Sequence, residues 1–328
     1  MATTIVSTVE LPEKARELLR SYNVNLYELP KLGKEEQSSA LSSAEILMCW
    51  CGREFDLTSN IKSMPRLRVI QTFSAGVDHL PFTAIPSNVE IYSNAGAYSV
   101  PVAEHAWAMI LTLAKGLHKP VLNAREYLGN ELTSPRKIIE STLLVLGTGG
   151  IGREIARIGK EGGFRTYNIG INRSGRPAEY FDEVYPTSKI IDVLPRADIV
   201  AIALPLNKHT RGGLIGEREL RALKRGAIVV NVGRGDVVKE EDLYRVLKER
   251  QDIRFGTDVW WVHDGHEEIP PRTPLTALPN FLGTPHIAGG GAQREIAEYA
   301  MIRAVENVIK YLRGGETPMN KVNRDDYV

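Results

Sequence analysis

The chain has 328 residues, of which 43% are hydrophobic and 25% are charged. At about 150 residues per domain this length predicts roughly two domains. The composition is close to that of average globular proteins, which excludes disordered, collagen-like and coiled-coil chains. The 41 lysines and arginines nearly balance the 40 acidic residues, so the formal net charge is +1. That balance gives no electrostatic reason to expect a nucleic acid or an anionic membrane as a partner.

Two cysteines are too few for a disulfide framework and are typical of a reducing compartment. Cys49 and Cys51 share one face of a predicted strand, but no second pair of cysteines or histidines completes a metal site, so no metal is predicted. The best candidate for a membrane span, AWAMILTLA, falls short of the ~20 residues needed to cross a bilayer. The start of the chain lacks the features of a secretory signal. These observations predict a soluble, cytoplasmic protein.

The first predicted elements are short strands. Apolar runs occur at 4–9, 45–50, 67–73 and 89–93. Each run is too short for a helix and is followed by glycine, proline or polar residues. The alternation of these short apolar runs with helix-like polar stretches predicts a small α/β unit.

A helix is predicted next, beginning near Pro101, where the missing N–H of proline costs nothing. Its apolar residues recur every three or four positions and form one stripe: Val102, Ala106, Met109, Leu113 and Leu117. The stripe is typical of an ordinary core helix and equally of a helix that packs between domains or between the subunits of a dimer.

A second series of strands then runs to about residue 286. Its apolar runs are STLLVLG, FRTYNIGI, ADIVAIALP, GAIVVNVG, IRFGTDVW and FLGTPH, with amphipathic helical patterns between them. Repeated strand–helix–strand units predict a parallel sheet with helices on both faces. A last helical segment is predicted over 292–315.

The glycines of LLVLGTGGIG have the spacing G-x-G-x-x-G at Gly147, Gly149 and Gly152. They follow an apolar strand and open an amphipathic helix, which is the context expected for dinucleotide binding. The first glycine permits a tight turn, the second lets a pyrophosphate approach, and the third allows close helix–strand packing. The N–H groups at the helix start, near Gly150 and Ile151, would then face the phosphates.

The residues after the following strand indicate which dinucleotide binds. About 20 residues past Gly152, an Asp or Glu would bind a free ribose 2′-hydroxyl. Here the strand ends in Asn172, Arg173 and Ser174. A guanidinium and a hydroxyl suit a 2′-phosphate. The prediction is that NADP(H) is preferred and that NAD(H) is possible.

Residues that directly follow parallel strands meet at one edge of the sheet, where ligands bind. The residues at these positions are Gly147, Asn172 and Arg173, Pro205, Gly233 and Arg234, Asp258, and His286. Arg234 could grip a carboxylate through two hydrogen bonds. His286 could give a proton to a carbonyl oxygen as a hydride reaches the carbon. The set is typical of hydride transfer to a carbonyl compound that carries a carboxylate.

The motifs LGTGGIG, ALPLNKHTRGGLI, VVNVGRGDVV, TDVW and PNFLGTPHIAGG occur in the order and spacing of one family. In these motifs the sequence resembles the D-isomer-specific 2-hydroxyacid dehydrogenases, among them the glyoxylate and hydroxypyruvate reductases. The resemblance implies an α/β fold of two Rossmann-like, doubly wound parallel-sheet domains. A dinucleotide-binding domain (99–287) would be inserted in a flavodoxin-like substrate domain (1–98 and 288–328).

The resemblance also implies roles for individual residues. Arg234 would bind the substrate and His286 would be the acid/base. In FSAGVDHL, the backbone N–H groups of Ala75, Gly76 and Val77 would contact the substrate carboxylate. Asp258 would face the nicotinamide carboxamide. Further residues would line the cofactor: Leu204, Pro205, Val232, Ala288 and Gly289.

The sequence departs from the family at the glutamate that normally pairs with the histidine. Counting forward from TDVW places His263 there, whereas counting back from PNFLGTPH places Glu267, with an insertion in WVHDGHEEIPPRT. A carboxylate beside His286 would favour the imidazolium form, and a second histidine would not. Glu267 is preferred for that reason, while His263, or neither residue, stays open.

These features predict an NAD(P)-dependent oxidoreductase that acts on a small 2-oxo acid or D-2-hydroxy acid, such as glyoxylate or hydroxypyruvate, as a homodimer. The alternatives are a short-form phosphoglycerate dehydrogenase and a non-catalytic, nucleotide-sensing binding protein on the same fold. A formate dehydrogenase is disfavoured, because His263 and Tyr98 replace the glutamine and asparagine typical of that enzyme.

Overall fold

The computed structural model describes residues 2–52, 55–118, 134–290, 293–314 and 319–328. The chain forms two compact units, one of residues 1–98 and 290–328, the other of residues 99–289. Of the last predicted helical segment, Ala292 and Gly315 lie outside the described residues.

The first unit is built on a five-stranded parallel sheet in the order β2-β1-β3-β4-β5. This is the strand order of flavodoxin-like folds. Its strands are β1 (Thr3–Ser7), β2 (Val24–Glu28), β3 (Ile46–Cys49), β4 (Val69–Thr72) and β5 (Glu90–Tyr92). Its helices before residue 98 are α1 (Glu13–Arg20), α2 (Lys34–Ser43) and α3 (Leu57–Asn60). The central strands β3 and β4 are buried along their whole length, because helices cover both faces of the sheet.

The second unit is built on a seven-stranded parallel sheet in the order β14-β11-β10-β9-β6-β7-β8. Its strands are β6 (Thr142–Leu146), β7 (Tyr167–Asn172), β8 (Glu183–Pro186), β9 (Ile199–Ile202), β10 (Ile228–Asn231), β11 (Arg254–Thr257) and β14 (Phe281–Gly283). The order is that of the Rossmann fold, which reverses between β6 and β9. The predicted fold class, two Rossmann-like doubly wound domains, is confirmed.

The helices of the second unit are α4 (Ser99–Lys115), α5 (Gly150–Glu161), α6 (Ile190–Val193), α7 (Glu217–Arg221) and α8 (Glu240–Glu249). A short antiparallel hairpin, β12 (Val262–His263) and β13 (His266–Glu267), lies outside the sheet. The C-terminal helix α9 (Arg294–Arg313) belongs to the first unit.

Three differences from the predicted series concern the strands β2 and β8, the end of α4, and the two cysteines. Strands β2 and β8 were not predicted because both are edge strands with partly exposed residues, so neither shows a continuous apolar run. Leu117 is not part of the apolar stripe of α4. The helix ends at Lys115, Gly116 has a φ of +70°, and Leu117 is 70% exposed.

The two cysteines are the third difference. Cys49, at the end of β3, and Cys51 are buried and joined by a disulfide. This bond was not predicted from the sequence. The link joins residues two positions apart, so it constrains only a short turn of the chain.

Candidate active site

The glycine-rich turn between β6 and α5 has the shape that a pyrophosphate requires. Gly147 has a φ of +104°, and a Cβ there would lie 2.6 Å from the carbonyl oxygen of Ala203. A Cβ on Gly152 would lie 1.8 Å from the carbonyl oxygen of Gly147, so only glycine lets α5 pack this closely. A Cβ on Gly149, by contrast, would meet nothing within 4 Å. The open space lies at the N-terminus of α5, where unpaired N–H groups favour an anion.

The end of β7 forms a polar turn at the same edge of the sheet. The Asn172 side-chain oxygen accepts hydrogen bonds from the backbone N–H groups of Ser174 (3.1 Å) and Gly175 (2.7 Å). Its amide group donates to Thr148 Oγ1 at 3.0 Å, on the glycine-rich turn. Asn172 thus shapes the turn, while the side chains of Arg173 and Ser174 are exposed. The residue at the strand end carries no negative charge.

The end of β9 lies against the glycine-rich turn, and the end of β10 lies against the end of β9. A Cβ on Gly233 would lie 2.5 Å from the carbonyl oxygen of Leu204. Leu204 is half-buried, Pro205 is exposed and Val232 is buried. These residues therefore stand at the carboxyl edge of the sheet, where a dinucleotide binds in this fold.

Asp258 follows β11 and holds the turn that carries His286. The carboxylate is 1% exposed. Its Oδ1 accepts hydrogen bonds from Thr284 Oγ1 (2.6 Å) and from the N–H of Ile287 (2.9 Å). Its Oδ2 accepts one from the N–H of Ala288 (2.8 Å). The carboxylate thus binds the chain both before and after His286.

The backbone of His286 is in the left-handed region, with a φ of +52°, which a residue other than glycine adopts only when its surroundings hold it there. Two further contacts hold the turn. His105 Nε2, on α4, lies 2.9 Å from Thr284 Oγ1, and Trp260 Nε1 donates to the Thr284 carbonyl at 2.9 Å. Because the threonine hydroxyl donates its proton to Asp258, His105 is the donor in its contact. His105 was not among the predicted site residues, since nothing in the sequence relates it to a threonine 179 positions later.

The ring of His286 meets a carboxylate from the β12–β13 hairpin. His286 Nδ1 lies 2.6 Å from Glu267 Oε2, and both side chains are partly exposed. His263 is bonded to a different carboxylate, with its Nε2 2.9 Å from Glu240 Oε2. Of the two candidates from the sequence, the structure places Glu267 beside His286.

Arg234 lies three residues after the end of β10, a strand that is separated from β14 only by β11. Its Nη1 donates to the carbonyl of Gly233 at 2.8 Å, and its own carbonyl accepts from Asn231 Nδ2 at 2.9 Å. The side chain is half-buried. Arg234, Asp258 and the His286 turn therefore follow three adjacent strands at one edge, which can present a carboxylate-binding group and a proton donor together.

Ala75, Gly76 and Val77 belong to the first unit, where they follow β4 at the carboxyl edge of its sheet. Ser74 Oγ donates to the carbonyl of Gly76 at 2.9 Å. The carbonyl of Phe73, just before the loop, accepts hydrogen bonds from Asn94 Nδ2 and from the Tyr98 hydroxyl, both at 3.1 Å. The loop is therefore tied to its own unit at its base.

No helix within the described ranges is long and apolar enough to span a membrane. In the same part of the chain, no three His, Cys, Asp or Glu side chains are grouped so as to hold a metal ion. The two tryptophans after Asp258 are buried, with each indole N–H bonded to a backbone carbonyl, so both pack inside the second unit.

Fold and site together define a dinucleotide-binding oxidoreductase scaffold. Residues 107–288 match the model of the NAD binding domain of the D-isomer specific 2-hydroxyacid dehydrogenases. The chain is 30% identical over 271 residues to a glyoxylate reductase of Korarchaeum cryptofilum, covering 80% of this chain and 78% of that protein. It is 31% identical over 296 residues to a D-3-phosphoglycerate dehydrogenase of Methanocaldococcus jannaschii, covering 89% of this chain and 54% of the relative.

A solved structure from Pyrobaculum aerophilum, provisionally named a formate dehydrogenase, is 30% identical, with a TM-score of 0.81 and full coverage of both chains. The chain therefore belongs to the D-isomer specific 2-hydroxyacid dehydrogenase family and is an NAD(P)-dependent oxidoreductase acting on CH–OH donors.

Proposed function

We propose that the enzyme transfers a hydride between NADP(H) and a small 2-oxo acid, with the corresponding D-2-hydroxy acid as the reduced form. Glyoxylate and hydroxypyruvate are the substrates we favour. The observation that carries the proposal is the 2.6 Å contact between His286 Nδ1 and Glu267 Oε2, at the edge that also carries Arg234. A carboxylate on one ring nitrogen leaves the other nitrogen to exchange a proton with substrate.

In this proposal the dinucleotide-binding domain is residues 99–287 together with Ala288 and Gly289 of the second unit, and residues 1–98 with 290–328 form the substrate domain. The pyrophosphate binds at the glycine-rich turn, on the N–H groups of Gly150 and Ile151. The close packing around Gly147 and Gly152 and the open space around Gly149 support this placement. The remaining cofactor contacts come from the strand ends and the His286 turn: Leu204, Pro205, Val232, Asp258, Ala288 and Gly289. When bound, NADPH supplies the hydride that reduces the carbonyl carbon.

The residues of this chain would do the rest of the chemistry. The Arg234 guanidinium binds the substrate carboxylate and polarises the neighbouring carbonyl. The backbone N–H groups of Ala75, Gly76 and Val77, in the first unit, are also proposed to bind substrate. The His286 imidazolium gives its proton to the carbonyl oxygen, and the negative charge of Glu267 stabilises the imidazolium before that transfer. In the reverse direction neutral imidazole takes the hydroxyl proton.

Initial rates test the reaction. We expect glyoxylate or hydroxypyruvate to oxidise NADPH, followed by absorbance at 340 nm, faster than 3-phosphohydroxypyruvate does. Formate is assayed with the oxidised cofactors. If 3-phosphohydroxypyruvate is the best substrate, the enzyme is a phosphoglycerate dehydrogenase. If no acid is turned over although NADPH binds tightly, the nucleotide-sensing alternative replaces the proposal.

The preference for NADP(H) rests on the exposed Arg173 and Ser174 and on the neutral Asn172 beside them. We expect Arg173→Ala to lower kcat/KM for NADPH by about ten- to a hundredfold, the value of one charge-assisted hydrogen bond, and to leave NADH unchanged. The matched control is Arg165→Asn, just before β7, because asparagine tolerates the φ of +49° there. A parent that prefers NADH would refute the cofactor assignment. The homodimer and the cytoplasmic location stay predictions.

A further inference from the structure

The hairpin that carries Glu267 is anchored on the segment that follows Arg234. The N–H of Val262 donates to Asp236 Oδ2 at 3.2 Å, and His263 Nε2 lies 2.9 Å from Glu240 Oε2. Both anchoring carboxylates come within six residues of Arg234 in the chain. The proposed substrate arginine and the proposed partner of the acid/base are therefore joined through one short stretch of backbone.

The surroundings of Glu240 fix its carboxylate in a position to bind His263. It is the first residue of α8, where the helix dipole favours a negative charge, and it is 8% exposed. Its Oε1 accepts hydrogen bonds from the N–H (2.6 Å) and the hydroxyl (2.8 Å) of Thr273, which leaves Oε2 for His263. A buried carboxylate without these donors would be costly, so the three contacts define one position for the histidine ring.

The hairpin is too short to be stable without contacts to the rest of the chain. Each strand has two residues, and the turn at Asp264 and Gly265 has φ angles of +51° and +89°. An isolated two-stranded hairpin is marginally stable at best. Glu267 pairs across the hairpin with Val262, next to His263. The contact between His263 and Glu240 therefore helps to fix where Glu267 lies relative to His286.

We propose that His263 is a positioning residue for the acid/base: by binding Glu240 it holds the hairpin so that Glu267 meets the ring of His286. This inference rests on the proposed function of His286. His263 occupies the position where the family usually has a glutamate. In this inference it acts indirectly, and Glu267, across the hairpin turn, supplies the carboxylate.

The test compares His263→Ala with Glu267→Gln and with the double variant, using pH profiles of kcat/KM for reduction of the acid that the parent uses best. We expect His263→Ala to change the profile in the same way as Glu267→Gln does, because both variants take the carboxylate away from the ring of His286. We also expect His263→Ala to lower kcat by about ten- to a hundredfold, as a misplacement of about 1 Å does.

The double variant gives the decisive comparison. If His263 acts only through Glu267, adding His263→Ala to Glu267→Gln lowers kcat no further. His263→Gln, whose amide nitrogen can reach Glu240, should recover most of the parent activity. His266→Ala is the matched control, because His266 is an exposed histidine on the same hairpin. We expect His266→Ala to keep the activity of the parent. We also expect the variants to keep the parent's dissociation constant for NADPH.

Two results would overturn the inference: a parent-like pH profile for His263→Ala, or independent losses that multiply in the double variant. Should the alanine variant fail to fold, His263→Phe keeps the ring volume without a ring nitrogen and permits the same comparison. A parent that turns over no acid removes the proposed function, and this inference falls with it. A parent that turns over its acid and an unaffected His263→Ala variant would refute the positioning role alone.

Discussion

Replacing Asp258 by asparagine tests whether this carboxylate holds the His286 turn. The side chain is 1% exposed and accepts three hydrogen bonds, at 2.6, 2.8 and 2.9 Å. Asparagine keeps one accepting oxygen, but its amide group then faces the N–H of Ala288, so one bond is lost and two donors oppose each other. A lost bond to a charged group with a buried donor left unsatisfied costs about 3 kcal/mol.

The assay is urea unfolding followed by tryptophan fluorescence, since three of the four tryptophans, Trp107, Trp260 and Trp261, lie in the second unit. We also expect kcat to fall about a hundredfold, because the turn holds His286 in its left-handed conformation. Asp192→Asn is the control, an aspartate that is 57% exposed and paired only at the surface with Lys189. An Asp258→Asn variant within about 0.5 kcal/mol of the parent, with unchanged kcat, would refute the reasoning.

Three further predictions concern other parts of the second unit. Gly152→Ala should abolish NADPH binding in calorimetry, because its Cβ would lie 1.8 Å from the carbonyl oxygen of Gly147. Arg234→Lys should lower kcat/KM for the 2-oxo acid by about ten- to a hundredfold in initial-rate assays, since an ammonium cannot bind a carboxylate through a planar fork. Arg250 lowers the pKa of Asp252 from 3.8 to about 2, so the stability from this pair is present above pH 3.8 and is lost as pH falls towards 2. In urea unfolding, Asp252→Asn should therefore be less stable than the parent by about 1 kcal/mol at pH 7, allowing for partial exposure, and equally stable near pH 2; a constant difference across that range would contradict the pairing.

Much of the fold could be predicted from local sequence. The central strands are continuous apolar runs because both faces of a parallel sheet are covered, and such runs stand out in a sequence. The edge strands β2 and β8 were missed because most of their residues are only partly buried or exposed, so neither forms a continuous apolar run. The glycine-rich turn was predictable for a similar reason: its steric demands act between residues only a few positions apart.

The sequence by itself also placed Arg234, Asp258 and His286 at one edge, since the carboxyl ends of parallel strands meet there whatever the loops do. It could not decide which residue meets the ring of His286. Glu267 and His263 lie on opposite strands of a hairpin, and their contacts depend on the turn between them and on Glu240, 23 positions before His263. Only the tertiary structure decided that pairing, because a side chain's partner is set by where distant backbone segments pack and not by its distance along the chain.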